Sequence, residues 1–463
     1  MTTTESTATT TDNAGKPWHL RENRAPVIDE VTLTDLEVKG AIPPELDGRY
    51  VRNGANPQTG QSDHWFLGDG MIHGIELSGG QANWYKNRYV HTPCYENKGV
   101  ERMDMYLDTE TLKFDYNVGV ANTHVIGHAG QVLALEEGSF PYVLTNDLDT
   151  VGPNNYDGKL VTAMTAHPKI CPETGDLLFF GYRSLPPYLV YHRVDAAGEL
   201  VQSEEIAVTG PTMMHDFAVS RNHAVFMDLP AIFDMELAMA GGMPIRWSDD
   251  YPARFGVMPR EGSGADVQWF DVDPCYVFHT LNAHDEGDEV VVSGCRIPEI
   301  WRDSADIGDA DVIDEAMTPK MWEWRFNRAT GSYTERQLDD RSSEFPRVAD
   351  SIVGLQNRYG YTMSTSFLDG TVGEIFKYDM ANGGARTSHV FEKGQVPGEP
   401  VFVPAEGGTN EDDGYLMTYV HDETTDMSHL TILDASNIEA APVAEVHLPR
   451  RIPTGFHGSW IAD

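Results

Sequence analysis

Cysteine is scarce: Cys94, Cys171, Cys275 and Cys295 are the only four in 463 residues, and no two form a CxxC pair. This excludes a disulfide scaffold and a thiolate zinc site, and it fits reduced thiols inside a cell. Basic residues are scarce as well. Lys and Arg total 33 against 72 Asp and Glu, for a formal net charge of -39. Such a surface repels phosphate and anionic headgroups, so no nucleic-acid partner is expected. The same charge suits concentrated salt, where screening removes self-repulsion, and points to a salt-tolerant source, with an ordinary acidic cytosolic protein as the plainer alternative. Long apolar runs are missing, since no stretch approaches the ~18–20 residues of a membrane span. The Thr-rich start of the chain also lacks the apolar core of a signal peptide. A cytoplasmic protein is expected.

Long amphipathic periods and strand-helix alternation are absent too. What remains is a succession of short apolar or alternating runs, such as Leu177-Leu178-Phe179-Phe180-Gly181-Tyr182, Tyr188-Leu189-Val190-Tyr191 and Glu289-Val290-Val291-Val292, broken by Gly, Asp, Asn and Pro. Turns such as Pro172-Glu173-Thr174-Gly175-Asp176 and Arg328-Ala329-Thr330-Gly331-Ser332 separate them. The chain reads as all-β. Evenly spaced strands with no dividing linker favour one radial or closed architecture over residues 27–463, preceded by a disordered polar tail over residues 1–26. No crisp repeat fixes a blade number. Residues 228–260, rich in Met, Ala, Pro and Gly, read as an insertion over one face, with Phe233, Met235, Leu237 and Met239 packed above a cavity.

Most of the 17 histidines sit in polar or turn contexts. His167, His215, His279 and His457 differ, because each flanks an apolar strand among small, aromatic or sulfur side chains. Four buried neutral imidazoles are costly unless something uses their lone pairs, so they are expected to converge on one metal. A ligand set without carboxylates suits iron, copper, nickel or zinc better than calcium or magnesium, and iron, which keeps positions open for oxygen, is preferred. Ligating imidazoles are commonly oriented by carboxylates. Glu137, Glu344 and Glu399 lie in apolar or turn settings that suit this, although each has an alternative as a turn cap or an arginine partner, Glu344 with Arg347 for example.

At these residues the chain resembles the carotenoid cleavage oxygenase family. The similarity runs from about Glu45 to Trp460 and includes Glu45-Leu46-Asp47-Gly48-Arg49-Tyr50-Val51-Arg52-Asn53-Gly54, His64-Trp65-Phe66, Gly68-Asp69-Gly70-Met71-Ile72-His73, Ala166-His167-Pro168, Met213-Met214-His215-Asp216, Phe278-His279, Glu344-Phe345-Pro346-Arg347, Glu399-Pro400-Val401-Phe402 and Gly455-Phe456-His457-Gly458. The resemblance implies a seven-bladed β-propeller with a dome of loops over its metal-bearing face. It also implies Fe(II) held by His167, His215, His279 and His457, with Glu137, Glu344 and Glu399 behind His215, His279 and His457 respectively. The implied reaction is cleavage of a conjugated C=C bond by O2 to two carbonyl products, in a hydrophobic conjugated small molecule. Residues 228–260 match a dome segment that touches membranes in relatives, an inference the acidic surface reduces to weak contact.

One departure bears on substrate. Glu136 stands where relatives that cleave apocarotenoids commonly carry an apolar or aromatic residue and lignostilbene-cleaving relatives a lysine. It is expected either to form a salt bridge or to line the cavity and accept a hydrogen bond from a substrate hydroxyl. Tyr106 is a candidate for the tyrosine that assists that lysine, and Phe233 for a substrate contact. A carotenoid or apocarotenoid is the expected substrate, a stilbene or phenylpropenoid the alternative, and a non-catalytic metal-bearing propeller the third reading.

Overall fold

Strands inside a stack of sheets have no face toward water. Leu177–Tyr182 and Leu189–Val194 are buried along most of their length, whereas Leu200–Glu205, at the outer edge of the same sheet, alternates buried and exposed. Inner strands therefore read as continuous apolar runs and outer ones as period-two patterns. The computed structural model describes residues 15–98, 100, 102–239, 244–302, 318–365 and 373–463. Among these residues the pairing gives seven antiparallel blades of a β-propeller, two of them joined in one continuous sheet, and two separate two-stranded ribbons.

The first blade holds Gly48–Arg52, Met71–Ser78 and Gln81–Tyr89, and the second His124–His128, Gln131–Leu135, Tyr142–Leu144 and Thr150–Pro153. Lys169–Ile170, Leu177–Tyr182, Leu189–Val194 and Leu200–Glu205 form the third; Ala218–Val219, His223–Asp228, Arg254–Pro259 and Gln268–Asp271 form the fourth. The fifth, with Tyr276–Glu286, Glu289–Ile297 and Lys320–Asn327, shares a strand with the sixth. Along Ser332–Arg347, residues up to Ser342 pair with the fifth blade, while Ser343 to Arg347 pair with Tyr359–Ser364 of the sixth. Glu374–Asp379 and Ala385–Val390 complete the sixth blade. The seventh contains Val401–Pro404, Gly414–Asp422, Met427–Asp434 and Ala444–His447.

The ring closes through Gly458–Ala462, the last strand, which pairs along Gly48–Arg52 of the first blade. Close backbone approach makes this possible: a Cβ on Gly455 would lie 2.6 Å from Arg52 Nε, and one on Gly54 would lie 2.8 Å from Gly455 Cα. Phe456 packs against Trp65 at 4.8 Å between ring centroids. Neighbouring blades meet through large apolar side chains, as where Phe180 meets Phe217 at 5.3 Å and Tyr191 meets Phe226 at 5.8 Å. Each such fully buried ring contributes about 1.5–3 kcal/mol relative to exposure.

Two sequence expectations need correction. The insertion is shorter than residues 228–260: His223–Asp228 and Arg254–Pro259 are register partners within the fourth blade, so only residues 229–253 lie between its strands in sequence. Met and Pro content hid a strand that the buried pattern of Arg254–Pro259 reveals. The insertion carries the hairpin Ala231–Phe233 with Ile245–Trp247 and the short helix Met235–Met239. Of the expected disordered tail, residues 1–14 lie outside the described residues. Residues 15–26 are ordered by two 3-10 turns, with His19 and Leu20 buried and Trp18 edge-on to Trp65 at 5.6 Å. Its apolar anchors outweigh a composition averaged over a Thr-rich stretch.

Candidate metal centre

In four of the blades a histidine at or near the start of a strand reaches one common point. His167 precedes Lys169–Ile170, His215 precedes Ala218–Val219, and His457 precedes Gly458–Ala462. His279 lies within Tyr276–Glu286, where the pairing slips between Val277 and Thr280. A bulge of this kind re-aims a side chain that regular pleating would direct elsewhere.

The four rings meet. Their ligand atoms lie within 4.8 Å of one another, and all four residues are buried. His167 Nε2 is 3.0 Å from His215 Nε2, which is 3.2 Å from His279 Nε2. Behind them stand three carboxylates from other blades: Glu137 on His215 Nδ1, Glu344 on His279 Nδ1 at 2.6 Å, and Glu399 on His457 Nδ1 at 2.9 Å. With Nδ1–H donated backwards by His279 and His457, and the Glu137 carboxylate against His215 Nδ1, the Nε2 atoms of these three present lone pairs to the centre. Lone pairs held this close repel unless a cation lies among them, so the donor set fits a metal.

Burial, reinforced by the neighbouring imidazoles, pushes His167 and His457 well below the ordinary histidine pKa and keeps them neutral. Burial also disfavours charge on His279. There the charge and hydrogen bond of Glu344 outweigh it and hold the pKa above the ordinary value.

Several residues of the site were not singled out from sequence. Asp216, directly after His215, accepts from Thr280 N and Thr280 Oγ1, both at 2.8 Å, and from Lys169 at 2.8 Å. It thereby ties together the segments that carry three of the histidines. The signal was in the chain: a charged or hydroxyl residue one or two places after each of them. His124 starts the second blade's inner strand, its ring 5.3 Å from that of His457. Its Nδ1–H donates to the carbonyl of Ala166, the residue before His167, at 2.9 Å. Burial, then the proximity of His457, pushes its pKa down to about 3. Its polar, turn-like sequence context concealed it. Tyr182 donates to Glu137, and Phe345, at φ +54°, stacks on His279 at 5.2 Å. A left-handed phenylalanine is strained by about 1–3 kcal/mol, a strain that accompanies placement of its ring against the His279 imidazole.

Glu344 pairs with His279, while Arg347 turns to Glu399 at 3.5 Å and Asp350 at 3.7 Å. Glu136 forms a salt bridge with Arg102 and also borders a cavity. Tyr106 and Phe233 border the same cavity, as do Met235 and Ala238 of the helix Met235–Met239, and Ile245. This cavity, of about 750 Å³, reaches His215, His279 and His457 between walls that include Phe66, Tyr182, Phe278, Trp301 and Phe345. A second cavity of about 1020 Å³ reaches His167, His279 and His457 past Lys169, Asp216 and Arg347. The histidine cluster thus has one strongly apolar approach and one with a larger share of polar lining.

Asp216→Asn is expected to lower metal affinity about 10–100-fold, the range typical for losing a partner that orients ligands. Overall thermal stability should change far less. Metal titration of the metal-free variant, read beside its circular dichroism, checks this.

The family model described as retinal pigment epithelial membrane protein matches residues 24–462. A carotenoid cleavage oxygenase of Mycobacterium tuberculosis is 38% identical, the match covering 94% of this chain and 96% of that protein. A carotenoid 9,10(9',10')-cleavage dioxygenase of Crocus sativus is 36% identical over 97% of this chain and 90% of its own. Among solved structures, a lignostilbene dioxygenase of Pseudomonas brassicacearum superposes with a TM-score of 0.86 at 27% identity, covering 96% of this chain and 98% of its own. The cobalt-substituted apocarotenoid oxygenase of Synechocystis superposes with a TM-score of 0.82 at 25% identity, covering 95% and 97%.

Proposed function

The chain belongs to the carotenoid cleavage oxygenase family, and we propose that it cleaves a conjugated C=C bond of a carotenoid or apocarotenoid with O2 at Fe(II). In this reading His167, His215, His279 and His457 hold the iron, and Glu137, Glu344 and Glu399 orient His215, His279 and His457. One observation carries it: four imidazole nitrogens lie within 4.8 Å of one another, and three of these histidines, His215, His279 and His457, close an apolar cavity of about 750 Å³. Bound Fe(II) supplies the one-electron chemistry that lets O2 react with an electron-rich double bond.

The chain's own residues do the rest. Phe66, Phe233, Phe278 and Trp301 wall the cavity and exclude water, so that one double bond of a rigid polyene is presented beside the histidines. Tyr182 fixes Glu137, and Phe345 packs on His279 and His457, so the imidazoles cannot rotate away. One C=C bond and one O2 become two C=O groups, and no side chain has to supply or remove a proton. Leu67 and Met235 border the cavity and are 46% and 51% exposed, which suits weak contact with a lipid surface holding such a substrate. No helix among the described residues is long and apolar enough to cross a membrane. The four free cysteines suit a reducing cytoplasm.

Metal analysis of anaerobically purified protein should give near-stoichiometric iron. Turnover in high salt under O2 should then convert an apocarotenal into two carbonyl products. Cleavage of a hydroxystilbene alone would transfer the assignment to the branch that includes the lignostilbene dioxygenase. Iron that is neither retained nor restored would leave a non-catalytic propeller.

A further inference from the structure

One wall of the apolar cavity holds a guanidinium with donors to spare. Arg102 opens the short helix Arg102–Tyr106 and borders the cavity beside Tyr106, Leu107 and Phe114. A single Nη donates to Glu136 Oε1. The other carboxylate oxygen of Glu136 accepts the Val120 N–H at 2.8 Å. Glu136, only 4% exposed, is thus occupied by protein donors and is poorly placed to take a substrate hydroxyl. Arg102 is not: among the described residues its guanidinium makes one hydrogen bond, from Nη2, which leaves Nη1 for a ligand, and its Nε is buried without an acceptor. The group is nonetheless held in place, over the Tyr106 ring at 5.2 Å and against Gly138, where a Cβ would lie 2.7 Å from Nη2.

A guanidinium donor left bare at the wall of an apolar cavity is costly, and a ligand oxygen that meets it at Nη1 removes that cost. The charge balance specifies which oxygen. Arg102 and Glu136 together are neutral, so a ligand carboxylate would bring an unpaired charge among aromatic walls, whereas a carbonyl or hydroxyl would not. We propose that Arg102 binds a neutral oxygen, carbonyl or hydroxyl, at one end of the polyene, and so selects oxygenated carotenoids or apocarotenoids over hydrocarbons. This rests on the polyene-cleaving reading above. Glu136 directly precedes Glu137, which holds His215, so an oxygen anchored at Arg102 also fixes how far the polyene slides past the metal ligands.

The test uses two matched polyenes, one with a terminal hydroxyl or keto group and one without. Binding to the iron-free protein is read by tryptophan quenching, and kcat/KM by cleavage with the iron-loaded protein. Wild type is expected to prefer the oxygenated polyene at least tenfold in both measures. Arg102→Met should bring both ratios near one, and Arg102→Lys should keep part of the preference. Because Arg102→Met leaves Glu136 buried and unpaired, the double variant Arg102→Met/Glu136→Gln, with a neutral wall, should show the same loss. Equal binding and cleavage of both polyenes by wild type, or a preference that survives in the Met variants, would overturn the assignment of Arg102 alone. Wild type that neither binds nor cleaves any polyene would overturn the underlying reading and this one with it.

Discussion

His215→Ala is expected to leave anaerobic purification with less than a tenth of the wild-type iron and no measurable turnover, while keeping the wild-type fold. His215 is central to the cluster, its Nε2 lying 3.0 Å from His167 and 3.2 Å from His279. Its removal takes away one ligand of four and leaves Glu137 with Tyr182 as a donor but no imidazole to orient. The ring should survive, because its closure and blade contacts lie elsewhere, in the pairing of Gly458–Ala462 with Gly48–Arg52 and in rings such as Phe180 and Phe217. A metal that binds the folded state alone adds RT ln(1 + [L]/Kd), about 4 kcal/mol at a thousandfold excess over Kd. Iron-free wild type and His215→Ala should therefore melt within a few degrees of each other, with iron raising the melting temperature of wild type only. Iron content and turnover like those of wild type in the variant would sink the four-histidine site.

Where the sequence was informative, burial had marked the residues. His167, His215, His279 and His457 stood out because apolar strand starts seldom carry an imidazole without a use for it, and the structure brings these four together. Phe233 was legible over the cavity for a similar reason, as an aromatic in a segment with few charges. What escaped notice depends on contacts between residues remote in sequence. Arg102 gains its meaning from Glu136, 34 residues away, and Asp216 from Thr280, 64 away. The strand Ser332–Arg347 serves two blades, with its pairing shifting between Glu344 and Arg347, and no periodicity announces such a handover. The outer limits of the insertion are hidden in the sequence because Met and Pro in Arg254–Pro259 weaken a strand pattern whose proof is its register with His223–Asp228.

Glu399 is the second place where a single substitution should have a large effect, and there stability and metal binding can be separated. Its Oε1 accepts His457 Nδ1–H at 2.9 Å and lies 3.5 Å from Arg347 Nη1, while its Oε2 accepts Gly458 N–H at 2.8 Å. One carboxylate at the seventh blade thus touches the closing strand of the first and a cation of the sixth. Arg347 also donates to Gly458 O at 3.2 Å. Glu399→Ala would strand two buried donors and weaken the compensation of a mostly buried guanidinium, a defect that costs about 3–5 kcal/mol where a buried pair is broken. Glu399→Gln keeps the volume and one acceptor, but its amide NH2 must face either His457 Nδ1–H or Gly458 N–H, donor against donor. The glutamine variant should fold with the smaller loss of stability, yet bind iron about 10–100-fold more weakly because the His457 ring is no longer fixed. Urea unfolding of the iron-free variants and iron titration of each measure the two effects independently. Unchanged iron affinity and kinetics in Glu399→Gln would mean that the carboxylate serves only to fasten the closing strand, with His457 oriented by the Thr123, Asn53 and Phe345 contacts around it.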